Sequence, residues 1–390
     1  MLLCSAAGYA YNIKAGPLQL SLAANVSLLY SDNANISPTD PKEDWGIDCG
    51  PIITGGLQLP VHIGNNPEEL LRMTFSTGFM YRKWLNGGQQ VTFQSPTTFA
   101  LSLPLRLGQW LVTVGDLFTF TNEALENLVA VGIERPAQYN NTATLSATRP
   151  FGRFVLTLSG SRTDRWSPES QSLEETVYSF SVIPSVYLNE TMSVFWATSV
   201  GFVYPEHYID RSDGFNLTSM VGIAGRITPV LDGSIGIGYV HSRFDPIPSS
   251  TSTNNAGSGV DGVSAQIGLN YAHPLRPNTT HSIRGFYSPG VTATMDRSNY
   301  QTTYGVNYNI AHRLNRAMTL SPSIGWMHSK SESGPFAQQY DMLMLTISIQ
   351  RTFTRRLTGN LTYRRQDRTS DLPNQSYVVN EVRLSFLYTF

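Results

Sequence analysis

Apolar and polar residues alternate singly along most of the chain. Leu18, Leu20, Leu22, Ala24, Val26, Leu28 and Tyr30 share one face, while Gln19, Ser21, Ala23, Asn25, Ser27 and Ser31 share the other, with Leu29 the one apolar intruder. A period of two marks a strand with one apolar face. This run exceeds the roughly five or six residues of an ordinary globular strand and is long enough to cross a bilayer at a barrel's tilt.

The rhythm recurs. Leu71, Met73, Phe75, Thr77, Phe79 and Tyr81 oppose Arg72, Thr74, Ser76, Gly78, Met80 and Arg82, and further stripes run from Met192 to Tyr204, Phe215 to Ile227, Val263 to Tyr271 and Leu357 to Tyr363. About 18 such segments are predicted, with 16 the alternative if one weak pair fails, because single-chain bacterial barrels have even strand numbers. The links between them alternate in length. Arg149-Pro150-Phe151-Gly152, Leu188-Asn189-Glu190 and Thr228-Pro229-Val230 are short, whereas Asp32 to Glu43, Asn122 to Gln138 and Asp245 to Gly259 are long and polar. The expectation is an all-β chain: one closed antiparallel up-and-down transmembrane barrel over 17–390, both termini on the short-turn, periplasmic side of a bacterial outer membrane.

Composition strengthens that reading. Charged residues make up 14% and aromatics 11% of the 390 residues, where ordinary soluble proteins carry about 25% charge. No apolar run approaches the roughly 20 residues of a membrane helix. The net charge of −1 and the lack of a basic tract give no reason to expect nucleic acid. Aromatics gather near predicted strand ends, as interfacial girdles do: Tyr30, Tyr81, Trp84, Tyr204 and Trp326 toward the long loops; Trp110, Phe154, Tyr187, Phe353 and Tyr388 toward the short turns. Asp116 breaks its stripe of Val112, Val114, Phe118 and Phe120, so a bulge or an exchange of faces is expected there.

The start, Met1-Leu2-Leu3-Cys4-Ser5-Ala6-Ala7, resembles the tail of a secretory signal, and 1–16 is expected to be its remnant or a periplasmic segment. Leu3 stands where an acylation site wants a small residue, which weighs against lipidation at Cys4. Cys49 is expected to face lipid, too far from Cys4 for a disulfide. At the other end, Phe386, Tyr388 and Phe390 form an aromatic stripe resembling the signal read by the barrel-assembly machinery.

No catalytic constellation stands out, and no enzyme, cofactor or metal is expected. His62, His207, His241, His273, His281, His312 and His328 lack paired ligand spacing. His241-Ser242 and His328-Ser329 are too weak a basis for a lipid hydrolase. Inward positions are instead rich in Ser, Thr, Asn, Gln and Gly, and about 18 strands would enclose a hydrated space. Charges at inward parity lean basic: Arg72, Arg82, Arg226, Arg284, Arg364 and Arg383 against Asp48 and Glu381. That balance leads us to expect diffusion of small hydrophilic solutes, anionic or sugar-like; the alternative is that these arginines merely pair with carboxylates. The 122–138 loop, with a helix capped by Thr121 or Asn122, is the candidate constriction.

Val26-Ser27-Leu28-Leu29-Tyr30-Ser31-Asp32-Asn33, followed by Asp44-Trp45, resembles the first hairpin of outer-membrane β-barrel porins often encoded beside exopolysaccharide or capsule genes; Tyr30, Asp32 and Asn33 match that family's element. The close resemblance covers about 35 residues and carries no established binding residues. It implies a porin-like or polysaccharide-associated barrel. A polysaccharide export pore and a structural barrel anchoring a surface layer stay open as alternatives. Implied partners are outer-membrane lipids and lipopolysaccharide, the assembly machinery, small solutes, and a second copy or a surface protein.

Overall fold

The computed structural model describes residues 13–61, 69–86, 89–93, 96–121, 138–167, 174–206, 213–244, 259–273, 278–290, 301–331 and 338–390. Its first ten strands are β1 (Ile13–Ala15), β2 (Leu18–Ser31), β3 (Asp44–Val61), β4 (Glu69–Trp84), β5 (Gln89–Phe93), β6 (Thr97–Leu107), β7 (Trp110–Thr121), β8 (Gln138–Phe151), β9 (Phe154–Trp166) and β10 (Glu175–Tyr187). The others are β11 (Met192–Pro205), β12 (Gly214–Thr228), β13 (Leu231–Phe244), β14 (Gly259–Ala272), β15 (Thr279–Gly290), β16 (Gln301–Asn315), β17 (Met318–Ser331), β18 (Gln339–Thr352), β19 (Leu357–Ser370) and β20 (Tyr377–Thr389).

Apart from β5 and β6, strands adjacent in sequence pair antiparallel in space, and β2 also pairs with β20, so the sheet closes on itself. Both β5 and β6 lie against β4 and are two pieces of one stave. With β1 an appendage of β2, the barrel has 18 staves. That stave is thus interrupted. Phe93 pairs with Phe79 and Thr98 with Ser76, so the register shifts by two residues between the pieces. An even shift preserves parity, and Phe93 and Phe99 keep the same face.

Two strands share the closing edge of β2. β20 covers β2 only from Ala23 to Ser31, and Phe390 donates its backbone N–H to the Leu22 carbonyl at 3.0 Å. Below that point β1 takes over the same edge, with Ile13 opposite Leu20 and Ala15 opposite Leu18. A bare strand edge is a pairing hazard, and the tight turn at Gly16, with φ +62°, blunts it. The segment expected as a leader remnant therefore supplies a strand at Ile13–Ala15; residues 1–12, with Cys4, lie outside the described residues.

The alternation sorts side chains as a membrane barrel requires. Val26, Phe79, Trp196, Ile235, Ile237 and Phe386 are exposed on the outer face, the inverse of a soluble protein. Cys49 faces outward opposite Val26. Girdle contacts include Tyr30 on Trp45 at 4.8 Å near the long loops, and Arg149 over Phe151 and Arg351 over Phe353 near the short turns. Two aromatics depart from the expected girdles. Trp84 lies at inward parity against Gly46, where a Cβ would meet its ring at 3.2 Å, and Tyr187 pairs with inward Ser193. Asp116 is a further correction. The ladders from β6 through β8 run without a register break, and Asp116 sits outward between Leu101 and Ala143. Neither a bulge nor an exchange of faces re-aims it.

Candidate functional site

The inner wall is built from the polar half of each stripe. Cross-strand hydroxyl pairs line it, among them Ser159 with Ser181 at 2.6 Å, Thr142 with Thr163 at 3.1 Å and Ser27 with Ser385 at 3.0 Å. Such a wall favours water over an apolar filling.

Register places all eight candidate charges at inward parity. Arg82 lies directly opposite Asp48 and grips it in a bidentate pair at 2.7 and 2.8 Å, both side chains almost wholly buried. Arg226 faces Asp232 at 3.6 Å, exposed near the short turns, and Arg284 lines the same hollow. Arg364 is opposite Glu381, and Arg383 is opposite both Thr362 and Leu29. Arg72 faces Gln58 and Ser102. Asp232 carried a readable signal, the period-two parity of β13. Glu175, 2% exposed and bound by Arg165 at 2.6 Å, is a second inward pair outside the sequence list. Arg368, stacked at 4.2 Å over Tyr340, lies beyond the stripe that the alternation marks from Leu357 to Tyr363, because β19 runs on to Ser370.

These pairings sort the charge. Asp48, Glu175, Asp232 and Glu381 each face an arginine, whereas neither Arg72 nor Arg284 meets a carboxylate among the described residues. Asp44, buried at inward parity opposite Ser31, accepts the backbone N–H groups of Trp45 and Asn86, so the exposed charge left without an opposite partner on the described wall is positive.

A loop narrows the mouth beside this charge. The 32–43 connection folds inward, and its one large apolar side chain, Ile36, is 5% exposed in a cluster with Tyr377 and Val379. Asn33 sets the bend: its amide donates to the carbonyls of Ser37 at 2.8 Å and Val378 at 3.1 Å, and its oxygen accepts the Ser37 N–H. Leu29, the intruder in the first stripe, is 1% exposed on the inner wall, and with Ile36, Arg364, Tyr377, Glu381 and Arg383 it lines one cavity beneath the loop. The expected constriction at 122–138 lies outside the described residues apart from Gln138, which belongs to β8.

The two weak His-Ser candidates are divided by the pleat. His241 and His328 point outward, bound to Asp261 and Asp341, while Ser242 and Ser329 are buried on the inner side. Neither dipeptide can act as a dyad.

No family model and no curated protein matches the chain. Among solved structures, it resembles Pseudomonas aeruginosa OccK7 (OpdD), with a TM-score of 0.50 and 8% identity over 95% of this chain and 99% of that one. It also resembles Pseudomonas aeruginosa OccK2 (OpdF), solved with glucuronate, at 0.49 and 10% over 96% and 98%. A BenF-like porin from Pseudomonas fluorescens Pf-5 gives 0.48 and 10% over 95% and 99%. The OccK7 likeness bears on fold alone and agrees with the closed ladder and apolar belt. The chain is a membrane-spanning β-barrel of the outer-membrane porin fold.

Proposed function

We propose that this barrel is an outer-membrane channel through which small hydrophilic solutes diffuse, with a preference for anionic or polyhydroxylated ones. The observation that carries this reading is the exposed charge of the wall: among the described residues, Asp48, Glu175, Asp232 and Glu381 each face an arginine and Asp44 is buried, while Arg72 and Arg284 are exposed and meet no carboxylate. Fixed charges lining a low-dielectric passage concentrate ions of opposite sign. The inward loop and the Arg364–Arg383 cavity form a selective mouth on one side of the lumen.

In this reading the short turns and both termini face the periplasm, lipid and lipopolysaccharide surround the belt, and Phe386, Tyr388 and Phe390 serve assembly. Reversal potentials in planar bilayers under a salt gradient test the charge preference; cation selectivity overturns it. Liposome swelling with sugars of graded size tests passage. Exclusion of the smallest sugars favours a structural barrel, and polymer accumulating in a deletion strain favours an export pore.

A further inference from the structure

The outer wall carries a patch at mid-strand that lipid does not suit. Asp116, the seventh of twelve residues in β7, faces outward at mid-strand, and no side chain among the described residues pairs with it. Two strands along the same row, Ala143 stands opposite Asp116 and Arg162 opposite Ala143. Arg162 is exposed and reaches Asp164 at 3.0 Å through Nε and one terminal nitrogen. Asn141 lies between Phe118 and Asp164 on the same face, and its amide makes no hydrogen bond among the described residues. Toward the long loops the patch is topped by a slab of packed rings. Tyr139 stacks on Trp166 at 5.3 Å and 8°, with Phe118 and Phe120 against them. Ionisable groups in contact with acyl chains are costly and in membrane proteins normally find a partner.

We propose that this face is the interface with a second copy of the same chain, packed about a two-fold axis parallel to the barrel axis and passing through the outer face of β8. The arrangement is self-complementary. Asp116 on β7 and Arg162 on β9 flank β8, one strand to either side. A two-fold rotation about β8 puts each copy's Asp116 on the flank that carries the other's Arg162; strand tilt offsets them by roughly 6 Å along the barrel axis, a span the long arginine side chain covers, so the pair forms twice. Arg162 has donors left over, because a guanidinium carries five N–H groups and Asp164 takes only part of them. Ala143 sits at the axis, where a small side chain lets two convex walls touch. Asn141 is next to it, and a primary amide can both donate to and accept from its own copy. An anionic lipid headgroup fits worse, since Asp116 and Asp164 would repel it. The inference goes beyond the channel reading and rests only on the barrel being membrane-embedded.

Symmetric cross-linking of the full-length barrel in outer-membrane vesicles tests it. In a background with Cys4→Ser and Cys49→Ser, Ala143→Cys places the new thiol at the axis, and mild oxidation is expected to give a band of twice the barrel's mass. Ile237→Cys, exposed on the outer face of β13, is expected to stay monomeric. Adding Asp116→Leu to Ala143→Cys is expected to abolish the dimer band while the barrel keeps its heat-dependent gel shift. Cross-linking at Ala143→Cys no stronger than at Ile237→Cys, in a barrel that keeps that gel shift, overturns the proposal. So does an adduct of any other mass, which would mean a different protein partner. An unaltered dimer band with Asp116→Leu overturns the charge pairing. The readout is mass, so an absence of conductance would sink the channel reading without touching this one.

Discussion

Asp32 holds Asn380 with both of its carboxylate oxygens, one accepting the backbone N–H at 2.7 Å and the other the side-chain amide at 2.6 Å. The Asp32 N–H returns a bond to the Asn380 carbonyl at 3.2 Å. Asp32 follows directly on β2 and Asn380 lies in β20, so this clamp closes the barrel seam at the long-loop end, while the Phe390 to Leu22 bond closes it at the other. Hydrogen bonds to a charged acceptor contribute about 1.5–3 kcal/mol each. Asp32→Ala is therefore expected to lower barrel stability by roughly 2 kcal/mol or more, seen as a lower melting temperature in the heat-dependent gel shift. Asp32→Asn keeps one acceptor and is expected to lose less. A melting temperature unmoved by Asp32→Ala would show the clamp to be idle.

The inward loop gives a second prediction. Ile36 has φ +50°, a left-handed conformation that costs a β-branched residue about 1–2 kcal/mol, and the contacts with Tyr377 and Val379 hold it there. Ile36→Asp places a charge in that apolar cluster and is expected to release the loop and raise single-channel conductance. Ile36→Gly removes the backbone strain together with the side chain. It is expected to raise conductance as well, with a smaller loss of stability. Equal conductance in wild type and both variants would mean that the loop does not narrow the path.

Much of this architecture is legible in the alternation alone. β2 and β11 end within a residue of the stripes that predict them, Leu18 to Tyr30 and Met192 to Tyr204, because one-sided burial in lipid leaves little freedom in parity. The same rule assigns the eight candidate charges to the inward parity that the register gives them. Parity says nothing, however, about which residues stand opposite each other across strands, so the match of Arg226 to Asp232 or Arg165 to Glu175 needs the register. The inward loop is harder still. It announces itself only by Leu29 breaking its stripe and by a single Ile36 in a polar stretch, two signals that make sense once they line one cavity. β1 is too short for any period, and β19 continues beyond its apolar stripe because Arg368 and Gln366 bond to loop and strand neighbours. Asp116 was rightly read as anomalous, but the remedy is not a bulge.

The Asp48–Arg82 pair supplies a test of wall rigidity. Both side chains are buried, so removing one partner strands the other's charge, a loss of about 3–5 kcal/mol for buried pairs. Asp48→Ala and Arg82→Ala are each expected to destabilise the barrel strongly in urea unfolding. The double variant is expected to cost clearly less than the two losses added together, since it leaves no unpaired charge. Additive losses would mean that water already screens the pair.

Arg72 and Arg284 decide the selectivity prediction because neither forms an ion pair among the described residues. Arg72 is on β4 and Arg284 on β15, both exposed at inward parity, and Arg284 lines the same hollow as the Arg226–Asp232 pair, so the two sites sample different parts of the wall. Arg72→Gln with Arg284→Gln removes two positive charges from the wall without adding a negative one. The reversal potential is then expected to move toward the nonselective value, and Arg72→Glu with Arg284→Glu to carry it through to cation preference. Arg226→Gln makes a useful contrast, for it uncovers Asp232 and removes a charge that was already neutralised. Its shift should have the same sign and grow at low ionic strength, where an exposed carboxylate is least screened. If the Arg72 and Arg284 variants leave the reversal potential unchanged while Arg364→Gln or Arg383→Gln moves it, the selective element is the cavity under the inward loop. The rest of the wall would then act only as a wide aqueous conduit.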